Sequence, residues 1–404
     1  MALNGLIDMS PREAALAEGL RLWAEIDLDR LVSNVRALKQ RAGEARLLVV
    51  VKANAYGHGA VSVALAAARA GAWGFGVASL EEGDELRRAG VTAPIIVLSS
   101  TRPAQAMGLV KRDLSVTVAS LEMGKALSEA AQTLRRKAKV HVKVETGMNR
   151  FGIGAEEAVA LAEYLRDLPG LEVEGLSSHL ATADEAGKAF TLQQYAAFKA
   201  CVDRLPWIPI HHISNTAGLL NLPEMRHGMV RCGLGVYGYY PSGETARDVP
   251  LRPVLALRSR VAKIAELQPG ESVGYGRTWR AERPSRVAVV LAGYGDGLQL
   301  ALSNKGVALV RGRRAPYAGR VMMDMLTLDV TDIPDVAVDD EVTLLGDQGT
   351  ETIDADEMAG RAGTISYEIL TGLMERVPRL YVRDGKLAAR QDLTGLRRTL
   401  AMQG

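Results

Sequence analysis

Short apolar, β-branched runs recur from residue 47 onward. They are Leu47–Val51, Trp73–Ala78, Pro94–Leu98, Leu114–Val118, Val140–Val144, Leu171–Ser177, Pro209–Ser214 and a weaker one at Gly228–Gly233. Between them lie amphipathic helical patterns, at Val61–Ala70, Glu81–Ala89, Ala155–Leu168 and Thr191–Leu205. Buried strands alternating with helices predict a parallel sheet. Eight such units over about 200 residues fit a (β/α)8 barrel of the TIM type better than an open doubly wound sheet. Ser10, Pro11 and Glu13 read as a capping box opening a helix over Pro11–Leu20. A strand-like run at Leu22–Ile26 and a helix over Leu31–Gln40 precede the first barrel strand.

The texture changes after about residue 250. Leu255–Ile264, Val287–Leu291, Val307–Val310, Leu326–Val330 and Glu341–Leu345 are short strand patterns with no long helix between them. Turn signals at Pro269-Gly270, Gly312 and Asp332-Ile333-Pro334 separate them, and one helical pattern, Asp354–Ala362, interrupts them. The expected organisation is a barrel over 1–249 and a mostly β domain over 250–404, with polar Pro241–Pro250 as linker. The first strand, at about 22–27, is a candidate to join the β domain.

Composition narrows the function classes. The chain has 404 residues, with 49 Lys and Arg against 47 Asp and Glu. That near-neutral balance lacks the basic footprint of a nucleic-acid binder. No stretch reaches the roughly 18 apolar residues of a membrane helix. Asp8, Arg12 and Glu13 interrupt any apolar run at the N-terminus, so no signal peptide is expected. Two cysteines, Cys201 and Cys232, make no disulfide framework and point to a reducing cytoplasm. The aromatic set is skewed, with 11 Tyr and only 4 Phe. A buried phenol needs a hydrogen-bond partner, so the skew asks for an explanation.

In a barrel of this kind chemistry collects just past the C-terminal ends of the strands. Lys52 follows the first run, Glu145 to Arg150 the fifth, His179 the sixth, Asn215 and Thr216 the seventh, and Arg231 and Gly233 lie at the eighth. A lysine in a dry barrel mouth loses basicity and becomes a Schiff-base candidate. A snorkelling side chain or a plain anion anchor reads equally well. A lone strand-end arginine is as often a structural ion pair. Arg150 and Arg231 converging with Lys52 strengthen an anionic ligand, a phosphate or carboxylate. His179 alone reads more readily as a hydrogen-bonded core histidine. The chain's 6 histidines show no metal-ligand spacing, so no metal is expected. Gly293-Tyr294-Gly295-Asp296-Gly297 reads first as a plain turn.

The fragment Val51-Lys52-Ala53-Asn54-Ala55-Tyr56-Gly57-His58-Gly59 resembles the cofactor-lysine motif of bacterial alanine racemases, fold-type III pyridoxal-phosphate enzymes. The resemblance continues through Gly147–Gly152, Ser178–Asp184, Val230–Gly233, Gly274–Gly276, Gly293–Gly297, Gly319–Asp324 and Ser366–Leu370, in the family's order. It implies pyridoxal 5'-phosphate as cofactor and alanine as substrate. It also implies a head-to-tail homodimer with shared active sites, and D-alanine supplied for peptidoglycan. Lys52 would hold the cofactor and act as one acid/base; Tyr275 of the partner subunit would act as the other on the opposite face of the substrate Cα. Positive charge favours a phenolate, and His179 linked to Arg231 fits that role. Arg231 would face the pyridine nitrogen, where an arginine, which only donates, disfavours the protonated ring. Tyr56, Asn215, Thr216, Gly233, Leu234 and Tyr367 match cofactor-binding positions. Arg150, Met323 and Tyr294 match substrate-binding ones. Lys143 matches a lysine carbamylated in some members. A racemase of broader specificity, a fold-type III decarboxylase, a non-catalytic pyridoxal-phosphate carrier and a sugar-phosphate barrel enzyme are the alternatives.

Overall fold

The computed structural model describes residues 9–398; Asp8 and the rest of the expected signal-free N-terminus lie outside the described residues. The chain divides into two compact units, one of Arg30–Ala55 with Ala60–Arg252, the other holding the described residues before Arg30, Tyr56–Gly59 and the chain from Pro253.

The first unit is a nearly closed barrel of eight parallel strands. After an initial strand β1 (Leu22–Asp27), which belongs elsewhere, they are β2 (Arg46–Val50), β3 (Gly74–Val77), β4 (Ile95–Val97), β5 (Ser115–Val118), β6 (Ala138–Lys143), β7 (Leu171–Ser177), β8 (Ile210–His212) and β9 (Met229–Cys232). The pairing order is β8-β7-β6-β5-β4-β3-β2-β9. The Arg231 amide crosses the remaining gap by donating to the Ser214 carbonyl at 3.0 Å. All eight apolar runs are therefore barrel strands, with ends that differ from the runs by up to two residues where strand gives way to loop.

The four helices read from periodicity form at Ala60–Arg69, Leu80–Arg88, Ala155–Arg166 and Ala189–Arg204. Helix Leu121–Leu134 was not read from the pattern, although Ser120 caps it by accepting from the Met123 amide at 3.2 Å. Buried Gly124 and Ser128 dilute its apolar stripe. The barrel core is two-natured. Leu48, Ile96, Ile210 and Met229 cluster as an apolar layer. His141, Glu174, His212 and Arg231 are buried as well, on β6 to β9.

The second unit is built on an eleven-stranded sheet. Strand β1 lies in it, antiparallel to the long strand β10 (Leu255–Leu267) and parallel to Arg379–Arg383. Helix Pro11–Ala17 opens with the full Ser10–Glu13 capping box and packs Ala14 and Ala15 against Trp23, Leu380 and Leu387. The N-terminal helix and β1 thus group with the C-terminal residues rather than with the barrel. Strand β10 is buried at alternate positions over its first half, then shifts register near Val261, bends and pairs with Ser285–Val290. Strands Lys386–Asp392 and Gly395–Arg398 extend the sheet; their mixed polar sequence carries no clean alternation.

Candidate active site

The barrel unit gathers its charged groups at one end. Lys52 follows β2, Arg150 lies in the loop after β6, His179 follows β7, Asn215 caps the short helix after β8, and Arg231 sits on β9. Burial lowers the Lys52 pKa, the nearby Arg150 charge lowers it further, and Glu82 partly opposes both. Lys143 lies well below the ordinary lysine value, through burial first and then the charges of Arg231 and Arg150. His179 is held neutral by burial and by Arg231, Lys143, Arg150 and Lys52 in turn. The guanidiniums of Arg150 and Arg231, with Lys52 beside them and few carboxylates, make a mouth that attracts anions.

Lys52 leads into an unusual turn. Ala53, Asn54, Ala55 and Tyr56 have φ of 51°, 53°, 53° and 54°, a left-handed turn made without glycine. Such residues cost about 1–2 kcal/mol each. Local hydrogen bonds hold the turn. The Ala53 amide donates to Glu82 Oε1 at 2.8 Å, the Ala55 amide to the Val51 carbonyl at 2.8 Å, and the Ala60 amide to Asn54 Oδ1 at 2.9 Å. Strain over-determined in this way is a mark of a functional segment.

Arg231 is buried and donates all round. Nη1 faces His212 Nδ1 at 2.7 Å and the His212 carbonyl at 2.9 Å. Nη2 meets the Ser178 carbonyl at 2.8 Å, the Ile213 carbonyl at 3.0 Å and His179 Nδ1 at 3.0 Å. Burial pulls its pKa down to about 10, with Arg150 adding to the effect, so it is still a cation at neutral pH. A guanidinium has no lone pair to offer, so His179 must accept through Nδ1 and carry its proton on Nε2. Nearby, Thr216 Oγ1 accepts from the Gly233 amide at 3.2 Å, and Leu234 is buried beside it. Arg150 sits in a loop shaped by Glu145, whose carboxylate takes the Gly147 amide at 2.6 Å and the Arg150 amide at 3.3 Å. Burial opposes ionisation of Glu145, yet the four amides of Asn149, Gly147, Met148 and Arg150 keep its pKa below the usual value.

The second unit brings together the other residues singled out by sequence. The rings of Tyr56 and Tyr367 lie 6.1 Å apart. The Tyr294 amide donates to the Met322 carbonyl at 2.9 Å, and the Gly295 amide to the Met323 carbonyl at 2.8 Å. Buried Asp296 anchors this turn, paired with Arg21 at 2.6 Å and Arg376 at 2.8 Å. The Gly293–Gly297 fragment is thus more than a plain turn. Tyr275 follows Gly274 and is 72% exposed; Met323 and Tyr294 are exposed as well. Among the described residues, no group of three or more His, Cys, Asp or Glu could hold a metal, and no helix is long and apolar enough to cross a membrane.

Residues 26–241 match the alanine racemase N-terminal domain and residues 254–381 the alanine racemase C-terminal domain. The chain belongs to the alanine racemase family. It is 45% identical to the alanine racemase of Symbiobacterium thermophilum over 90% of this chain and 98% of that one. Solved structures agree. The alanine racemase of Clostridium difficile 630 is 35% identical, with a TM-score of 0.89, over 92% of this chain and 98% of that chain. The alanine racemase of Bacillus anthracis with bound L-Ala-P is 35% identical, with a TM-score of 0.86, over 93% and 98%. The chain is accordingly an isomerase of the racemase class. The family uses pyridoxal phosphate.

Sequence reading missed His141, His212 and Glu174. Each sits inside an apolar run on a barrel strand, where a polar residue at an inward position is the only available signal. Glu82 was missed for another reason, since its partners are backbone amides that no spacing reveals.

Proposed function

We propose that this chain interconverts L-alanine and D-alanine with pyridoxal phosphate, using Lys52 and the partner subunit's Tyr275 as two acid/base groups. The observation that carries this is the barrel mouth, where a desolvated Lys52 shares one end with a buried, donor-only Arg231. The cofactor, when bound, takes up the electron pair left as the substrate Cα loses its proton. Lys52, made less basic than a free lysine by burial and by Arg150, is the better suited to give and take the Cα proton. Tyr275 serves the opposite face, and the His179 Nε2 proton, directed outward by Arg231, supports its phenolate. Arg231 offers the pyridine nitrogen no acceptor, which keeps the ring from holding a proton and limits side reactions. Tyr56, Asn215, Thr216, Gly233, Leu234 and Tyr367 hold the cofactor, chiefly its phosphate. Arg150, the Met323 amide and Tyr294 bind the substrate.

Lys143 lies against a small cavity shared with Arg150, Ser178 and His179. Burial and the charges of Arg231 and Arg150 favour its neutral amine, the form that adds carbon dioxide with loss of a proton, and the resulting carbamate anion would fix Arg150. The active protein is a head-to-tail homodimer in the cytoplasm, where its two free, buried cysteines stay reduced. Its D-alanine feeds peptidoglycan. The deciding experiment is incubation of L-alanine in D2O with the loaded enzyme. D-alanine carrying deuterium at Cα is the expected product; carbon dioxide release, or no exchange at Cα, would overturn the reading.

A further inference from the structure

Arg231 is a buried cation, and among the described residues no carboxylate pairs with it directly. Its compensation lies deeper in the barrel. His212 Nδ1 faces Arg231 Nη1 at 2.7 Å, and His212 Nε2 faces His141 Nδ1 at 3.0 Å. His141 Nε2 in turn lies 3.3 Å from Glu174 Oε2. That last approach is off-line for a full hydrogen bond, but it turns the Nε2 edge of His141 toward the carboxylate. Glu174 is also met by Ser115 Oγ at 3.3 Å and Lys139 Nζ at 3.4 Å. His141, His212 and Glu174 are all buried.

The donor inventory fixes every proton in this line. Arg231 only donates, so His212 Nδ1 must accept and its one proton sits on Nε2. That proton points at His141, so His141 Nδ1 must accept as well. His141 then carries its proton on Nε2, toward the acceptor-only carboxylate of Glu174. Both ends demand the same direction, and neither imidazole has room to become a cation. Burial and the Arg231 charge push His212 well below the ordinary histidine range. Burial works against a charged Glu174, but the contacts of His141 and Lys139 outweigh it and hold the carboxyl low. Space for the line is made by Gly175 on β7, paired with His141, where a Cβ would lie 1.8 Å from His141 Nδ1.

We infer that Glu174, acting through His141 and His212, is a positioning residue for Arg231. It supplies the remote counter-charge of a buried guanidinium and holds both imidazoles in one tautomer, so that Arg231 presents donors only. This rests on the reading of Arg231 as the cofactor-facing cation, but the protonation line can be tested without the reaction.

Long-range proton–nitrogen imidazole spectra of the full chain, loaded with pyridoxal phosphate, should show His141 and His212 neutral, each protonated on Nε2. A proton on His212 Nδ1, or an imidazolium at either site, overturns the inference whatever the enzyme catalyses. Glu174→Gln keeps the shape and removes the charge. Its kcat for alanine should fall about tenfold, with KM within about twofold and the melting temperature little changed. An unchanged kcat in the folded variant, or parallel collapse of kcat, KM and stability, overturns it. If Glu174→Gln does not fold, the spectra of the natural chain decide. Normal tautomers without racemisation would instead count against the proposed function alone.

Discussion

At the residue scale, one buried arginine sets the protonation of its surroundings. Arg231 turns Nδ1 of both His179 and His212 into acceptors, and both histidines are pushed well below their ordinary value, by burial first and Arg231 next. In the unfolded chain they would titrate near pH 6.5. Below that pH the unfolded state binds protons that the folded state refuses, so stability falls as pH falls. Above it, neither state is protonated and the two groups contribute no slope. The melting temperature of the purified enzyme should therefore drop between about pH 6.5 and 5.5, before most carboxylates titrate. In His212→Asn, calorimetry should find that drop reduced; an equal slope would show that the acid sensitivity lies elsewhere. The tyrosine excess is also settled one residue at a time. Tyr237 is fully buried and donates to the Val50 carbonyl at 2.8 Å, next to the start of the Lys52 turn, while Tyr240 donates to the Val249 carbonyl at 2.6 Å. Tyr237 is a core ring and Tyr240 a half-buried one, both with satisfied hydroxyls, whereas Tyr275 and Tyr294 are exposed. The skew has two causes, and only the second was legible from motifs.

At the element scale, the left-handed turn after β2 makes the sharpest demand on sequence. Ala53 is exposed and Ala55 fully buried, yet both hold φ near 50°. Glycine adopts that conformation freely, at the expense of a more flexible unfolded chain. Ala53→Gly should therefore leave stability within about 1 kcal/mol or raise it, whereas a β-branched residue in a closed site at Ala55 meets both strain and overpacking. Ala55→Val should lose more than about 2 kcal/mol, read as a fall of several degrees in melting temperature. Equal effects at the two positions would show that the turn is relaxed. Nothing in the pattern of the chain announces this turn, because Lys52–Tyr56 looks like the start of an ordinary helix. The barrel strands were legible because each is buried on both faces and reads as a continuous apolar run. Glu174, His141 and His212 were hidden by that same continuity, and Leu121–Leu134 by small residues on its buried face. Strand β1 could be suspected of leaving the barrel, but its two partners, β10 and Arg379–Arg383, lie far away in sequence and only long-range pairing names them.

At the scale of the whole molecule, the residues singled out by sequence divide between the two units. Lys52, Arg150, His179 and Arg231 belong to the barrel, while Tyr275, Tyr294, Met323 and Tyr367 belong to the C-terminal unit. The proposed dimer makes each site from one subunit's barrel and its partner's Tyr275. A direct consequence concerns mixtures of inactive variants. Lys52→Ala cannot hold the cofactor covalently, and Tyr275→Phe lacks one acid/base group and should lose about a thousandfold in kcat while keeping its yellow colour. In a mixed dimer of the two, one site has both defects, and the other combines an intact Lys52 with an intact Tyr275. Random reassortment makes half of the dimers mixed, each with one working site of two, so denaturing and refolding an equal mixture should restore about a quarter of the natural activity. If Tyr275 acts on the Lys52 of its own chain, every site in the mixture is defective and no activity returns. Recovery should also rise with protein concentration as subunits associate. A cross-linked dimer of Lys52→Ala alone, mixed without exchange, supplies the blank against which the recovered quarter is measured.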